Sequence, residues 1–265
     1  MKASVVVIIF TLSAAVVGAQ PAEWIGFDGE SLPAEATIEL MRATDESVEF
    51  TLFIPGVSAT AVSTDEGSFT KIEIPGLGRS TALGEPMLPT LRRFVEIAAG
   101  ADATIEVTPL DTESIDLGAR GLATRLYPVQ LPLPKCDCPE ADQWRFSFKA
   151  DSYRGTVSQK PTLEGPFTFR DHEVMKLAVS PVSFDAARGT LEVATRLRVN
   201  VTFQGGDRAL TDARKHRLAS PHFDAFLSES ILNLDRDAGW AFPTAAPVEF
   251  LIITPPQFVA ELGPF

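Results

Sequence analysis

Between Leu191 and Phe203 the chain alternates without a break. Leu191, Val193, Thr195, Leu197, Val199, Val201 and Phe203 share one parity, and Glu192, Ala194, Arg196, Arg198, Asn200 and Thr202 the other. A period of two that holds over such a run is a strand with one face on a core. At about 3.3 Å per residue it crosses a whole sheet, so it is expected to be a central strand of one layer. Asn200-Val201-Thr202 matches a glycosylation sequon, but inside this strand it reads as the polar face. Just upstream, Val174 to Phe184 forms a second run, and Asp185 to Gly189 has the length and the late glycine of a bulged hairpin turn, which makes the pair antiparallel. Pro181 has no N–H to give to a ladder, and the apolar parity shifts beside it, so a bulge or an edge position is predicted there.

The same alternation recurs in shorter pieces. Val48, Phe50, Leu52 and Ile54 stop at Pro55-Gly56; Phe69 to Ile74 stops at Pro75-Gly76; Ile105 and Val107 stand before Pro109. Each reads as a strand with one face in water, and helical periodicity is nearly absent from Ala36 to Phe203. Strands at roughly even spacing with Pro/Gly turns predict a mainly β, antiparallel, two-sheet sandwich over residues 20–205.

Lys2 followed by an apolar run to about Val17, with Val17 and Ala19 in the small-residue positions before a cut, predicts a secretory signal peptide over residues 1–19, cleaved after Ala19. The run is shorter than the ~20 residues that a spanning helix needs. The chain is therefore expected to be exported, with a secreted or cell-surface location and no membrane contact once the leader is gone. It carries 23 basic and 35 acidic residues, a net charge of −12 at pH 7, and the leader takes with it Lys2 and no acid. That balance argues against nucleic acid or an anionic membrane as a partner.

The two cysteines, Cys136 and Cys138, lie in LPLPKCDCPE. A bond between them closes a small strained ring, and two thiols are too few for a closed zinc site. A local structural feature or strained disulfide, pairing with another chain or segment, and metal or redox chemistry all stay open. Neither cysteine has an evident histidine partner among His172, His216 and His222. No cofactor-binding, metal-ligating or catalytic set stands out.

Gly84-Glu85-Pro86-Met87-Leu88-Pro89, then Arg93-Phe94-Val95-Glu96-Ile97, then Tyr127-Pro128-Val129-Gln130-Leu131-Pro132, the block from Arg170 to Phe203, and FLIITPPQF near the end occur in an order that resembles the gingipain family of secreted cysteine endopeptidases. The likeness is to the propeptide of that family plus the first strand of its catalytic domain, and it covers Gly84 to Phe265. It implies a precursor in which a sandwich prodomain assists or covers a caspase-like α/β catalytic domain, its cognate partner, and is then cut away. The family's catalytic His and Cys lie in motifs beyond that first strand, so none is assigned here and the chain as given is expected to be inactive. The family's prodomains block the cleft with a basic loop residue that mimics substrate. No matching motif places that residue, and the candidates are Arg120 and Arg125 in the Gly-containing loop Gly118 to Tyr127, and Lys135, against a reading of all three as plain surface charges.

Independently of the resemblance, an acidic exported sandwich, a basic segment and the start of a second domain suggest a processed two-part protein. Gly205 to Ser220 shows no periodicity and a Gly pair, and reads as a flexible basic linker or, through Arg208, Arg214, Lys215 and Arg217, as a maturation site. From Ser220-Pro221 a helix is predicted, with Phe223, Phe226, Leu227, Ile231 and Leu234 on one face, ending near Gly239, so that residues 206–247 form a linker and an amphipathic helix. In residues 248–265, Phe250 to Ile253 reads as a buried strand. Thr254, Pro255 and Gln257 form a helix start, and Phe258, Leu262 and Phe265 share one helical face. This reads as the truncated opening of an α/β domain. A secreted β-sandwich binding or adhesion module, or a free-standing protease inhibitor, remain the alternatives.

Overall fold

The alternating run is the middle of a longer strand, flanked on both edges. The computed structural model describes residues 22–132, 135–136, 143–218, 223, 226–234 and 254–257. Strands are numbered in chain order, and β13 spans Thr190–Asp207. One edge of β13 is covered along its length by β8 (Ala99–Asp116), while the other is shared end to end by β12 (Val182–Asp185) and β3 (Ser47–Phe53). β2 (Thr37–Ala43) lies outside β3, and β9 (Thr156–Val157) outside β12. All these pairs are antiparallel. The strand continues past Pro109, though its alternation of buried and exposed residues does not, because β8 is an edge strand: its partner among the described residues is β13, and the missing N–H falls beside a register shift near Arg196.

A four-stranded sheet runs β10 (Thr162–Phe169), β11 (His172–Val179), β7 (Pro89–Ile97), β6 (Gly78–Arg79), and a three-stranded sheet runs β1 (Glu23–Gly26), β4 (Gly56–Thr64), β5 (Gly67–Glu73). Phe50, Leu52, Leu191, Val199 and Val201 from the six-stranded sheet share one buried core with Leu91, Val95, Leu177 and Val179 from the second and Val57 and Ile72 from the third. The architecture is thus mainly β and antiparallel, as the strand spacing predicts, but its strands fall into three sheets rather than the two expected.

Pro181 marks more than a bulge. Val174 to Val179 belongs to β11 and pairs with β7, whereas Val182 to Asp185 crosses to pair with β13. The predicted hairpin therefore holds only for its second half, and the chain changes layers at Ser180-Pro181. Ser180 Oγ donates to the Pro89 carbonyl at 2.8 Å, and the Pro181 carbonyl accepts the Ala194 N–H at 2.8 Å, so the crossing is tied to both sheets.

The two proline-rich elements hold each other. The Gly84 N–H donates to the Val129 carbonyl at 2.9 Å, Val129 N–H to Glu85 at 2.9 Å, and Met87 N–H to Tyr127 at 3.0 Å. Gly84 has φ +76°, a conformation that favours glycine.

The flexible linker expected after Gly205 is not observed. β13 runs on to Asp207 and is followed by helix α1, Arg208–Leu218. Asp207 caps it, its Oδ1 accepting the Leu210 N–H at 2.8 Å. The helix predicted from Ser220 is shorter than expected. Phe223, Phe226 and Leu227 are helical, but a turn follows and Ile231 is extended against Phe94. Of the terminal segment, Thr254 to Gln257 is described, with a helical turn at Pro256 and Gln257. The expected strand Phe250 to Ile253, the face of Phe258, Leu262 and Phe265, the signal peptide with Ala19, Cys138 and His222 lie outside the described residues.

Candidate functional site

Two regions carry the residues singled out in the sequence. The first is the stretch from Gly118 to Tyr127, which begins with a short helical turn, Gly118–Arg120. It is stitched to β5. Thr70 N–H donates to the Arg125 carbonyl at 2.7 Å, Tyr127 N–H to the Thr70 carbonyl at 2.8 Å, and Thr70 Oγ1 to the Ala123 carbonyl at 2.8 Å. Leu126 is fully buried. Arg125 is committed to its own fold: its guanidinium lies 4.6 Å from the Phe69 ring centre and 5.7 Å from that of Phe148, and it donates to the Glu66 carbonyl at 3.2 Å. Phe69 in turn packs on Tyr127, Phe146 and Phe148. Burial pushes the Tyr127 and Tyr153 phenols up, and Tyr153 donates to the Leu126 carbonyl at 2.7 Å.

Arg120 points away from this cluster to Glu23, 3.3 Å distant, in an exposed ion pair that contributes little. Lys135 is exposed in a bend and forms no ion pair or hydrogen bond among the described residues. The next residue, Cys136, is disulfide-bonded. The structure thus separates the three loop cations into one locked, one loosely paired and one without a partner among the described residues.

The second region is where α1 meets β7 and β11. Arg214 donates to Glu173 Oε2 at 3.0 Å and Lys215 to Glu96 Oε2 at 2.8 Å. The other Glu96 oxygen is 2.7 Å from His172 Nδ1, and Glu173 Oε1 accepts the Gly100 N–H at 3.0 Å. Burial alone would raise the Glu96 carboxyl. The hydrogen bonds from His172 and Lys215 and the Lys215 charge outweigh it and hold the group below its ordinary value. Asp171 Oδ1 is buried without a hydrogen-bond partner, 3.7 Å from His172 Nε2. Arg208, at the other end of α1, pairs with Asp45 at 2.5 Å. Arg217 is exposed, and the carbonyl of Leu218 accepts from Arg170 Nε at 2.7 Å. Of the four basic residues read as a maturation site, three are held by carboxylates and Arg217 has no such partner among the described residues.

Beyond α1 the chain returns to the same strand. Phe94 N–H donates to the Ser230 carbonyl at 3.0 Å and Leu232 N–H to the Phe94 carbonyl at 2.9 Å. Asn233 Oδ1 accepts the Glu96 N–H at 2.7 Å while Asn233 Nδ2 donates to the Glu96 carbonyl at 2.9 Å. Leu227 and Ile231 are buried with Val174, against Phe94, Phe169, Phe223 and Leu234. Glu96, Glu173 and Asn233 were not among the residues singled out in the sequence. The available signal was Phe94, an aromatic side chain on the parity of β7 opposite to that of the buried Val95 and Ile97.

The described residues thus form an antiparallel β sandwich with an exposed lysine beside a disulfide and a basic helix docked on the sandwich's own carboxylates. The chain belongs to the Propeptide_C25 family, whose family model matches residues 34–228. It is 28% identical over 212 residues to Lys-gingipain of Porphyromonas gingivalis, a stretch that is 79% of this chain and 12% of that protein; Lys-gingipain HG66 from the same organism matches to the same extent. The chain therefore spans about an eighth of the length of the curated relatives it matches. The fold matches the structure solved for zymogenic latency of gingipain K from P. gingivalis with a TM-score of 0.57 and 23% identity, over 69% of this chain and 98% of that one. It matches a complex of P. gingivalis RgpB pro- and mature domains with a TM-score of 0.57 and 18% identity, over 74% and 96%. Among the described residues no helix is long and apolar enough to cross a membrane.

Proposed function

We propose that this chain is the N-terminal part of an exported gingipain-like cysteine endopeptidase precursor, and that its sandwich binds, and either inhibits or helps to fold, the catalytic domain that follows. The observation that carries this reading is the family match across residues 34–228, on a fold shared with a prodomain solved in complex with its mature domain. Export through the leader ending at Ala19 fits the location of such a peptidase at the cell surface or outside the cell. Within the sandwich, Lys135 is the residue assigned to the partner's cleft. Arg120 and Arg125 serve poorly, since one is paired with Glu23 and the other packs on Phe69. A cation next to a disulfide also loses less freedom on docking than one on an open loop. Maturation falls in α1, where Arg217 is the basic residue with no carboxylate partner among the described residues, and Arg208, Arg214 and Lys215 are released only if the helix lifts.

The test is inhibition of the peptidase encoded downstream by the purified chain. Submicromolar inhibition that falls at least tenfold with Lys135→Ala, and changes little with Arg120→Ala, is expected. Absence of any binding would refute the prodomain reading, and full inhibition by Lys135→Ala would refute the assignment of the residue alone.

A further inference from the structure

We propose that the open edge of β7 is a docking groove for Leu227 to Leu234, and that this contact keeps the piece of chain beyond α1 bound to the sandwich after α1 has been cut. The proposal rests on the maturation reading above for its biological setting, though not for its chemistry.

β7 is paired on one side by β11, but on the other β6 covers only Pro89 and Thr90. Further along this second edge the downstream stretch behaves as an added parallel strand, giving and taking the backbone hydrogen bonds of Phe94 through Ser230 and Leu232. At Glu96 the ladder continues with a substitute. The primary amide of Asn233 stands where the next peptide group would be and satisfies both the N–H and the carbonyl of Glu96. Four hydrogen bonds on alternate residues of one edge, with Leu227 (5% exposed) and Ile231 (2%) as apolar anchors beside them, are the elements of strand-addition recognition.

The other side of the cut has anchors of its own. Lys215 and Arg214 hold α1 through the side chains of Glu96 and Glu173, and Asp207 caps its start. Hydrolysis after Arg217 consumes one water and leaves a carboxylate on Arg217 and an amine on Leu218. The four hydrogen bonds that Ser230, Leu232 and Asn233 make to β7 use neither group. Cutting therefore turns an intramolecular contact into a bimolecular one without removing a hydrogen bond from the groove. The partner for which the groove is shaped is the N-terminal tail of the cleaved downstream piece.

The experiment uses the full chain with a site-specific protease sequence inserted after Ser220. After cutting, both pieces are expected to co-elute in gel filtration at the position of the uncut protein and to part only in denaturant. Separation in native buffer overturns the proposal. In a variant with Asn233→Ala and Ile231→Asp the cut pieces are expected to separate; their co-elution also overturns it, since retention would then come from elsewhere. Should that double variant fail to fold, Asn233→Ala alone keeps the anchors and is expected to speed release about tenfold, and an unchanged release rate sinks the idea. N-terminal sequencing of the naturally processed product tests the maturation reading separately: a natural cut outside α1 would remove that setting while leaving the groove result intact.

Discussion

Glu96 serves three partners at once: its carboxylate takes Lys215 and His172, and its backbone takes Asn233. Removing the charge leaves Lys215 facing a group that no longer balances it, so Glu96→Gln should cost about 2–3 kcal/mol at pH 7. Because the folded carboxyl titrates below its ordinary value of 4.5, its contribution is present above that pH and is lost as the pH falls through the lower folded value. Urea titrations of both proteins should show the difference shrinking as the pH falls below 4.5; a gap that stays constant to pH 3 would mean that shape rather than charge is responsible. In the sequence, Arg93 to Ile97 stood out only as part of the family resemblance, not as a strand with a core face. Periodicity within the block could not foretell that Phe94 and Glu96 are covered, because the cover comes from Phe169, His172, Lys215 and the stretch from Ser230 to Asn233, all far away in the sequence.

At the scale of elements, the turn between β12 and β13 was readable because its requirement is local. Gly189 has φ +68°, where L side chains are strained, and a Cβ there would sit 2.5 Å from the Cβ of Thr124. Gly189→Ala should therefore lower stability by about 2–3 kcal/mol, combining backbone strain with overlap, and thermal unfolding measures it. A loss well under 1 kcal/mol would show that the turn and the neighbouring loop yield easily. Helix α1 was missed for the opposite reason. Its docking depends on Arg214 and Lys215 rather than on an apolar stripe, and Leu210 is 42% exposed, so hydrophobic periodicity was never going to mark it. The one local sign was Asp207 as a cap. The layer change at Pro181 was half visible: the parity shift was there, but whether the chain bulges within one sheet or passes to another is decided by strands far away in sequence.

For the whole molecule, β13 is the strand whose amides should exchange with solvent most slowly, since both its edges are paired and Val193, Val199 and Val201 are fully buried. Hydrogen exchange should rank Val193 to Val201 above every residue of β2 and β10, and the reverse order would contradict this account of the core. The central place of β13 and the sandwich were plain from the sequence because strand alternation reports directly which face is buried. The assignment of strands to three sheets was not, since it depends on pairings that leave no periodic trace. β8 bears on how the protein behaves in a crowd. Its outer edge is a long row of backbone groups, and along it the chain places Asp102, Glu106, Asp111, Glu113 and Asp116 with no lysine or arginine. Two copies meeting there would set carboxylate against carboxylate, so each molecule repels its own kind at neutral pH. Acid or concentrated salt would mute that repulsion and turn the same row into a seam for self-assembly.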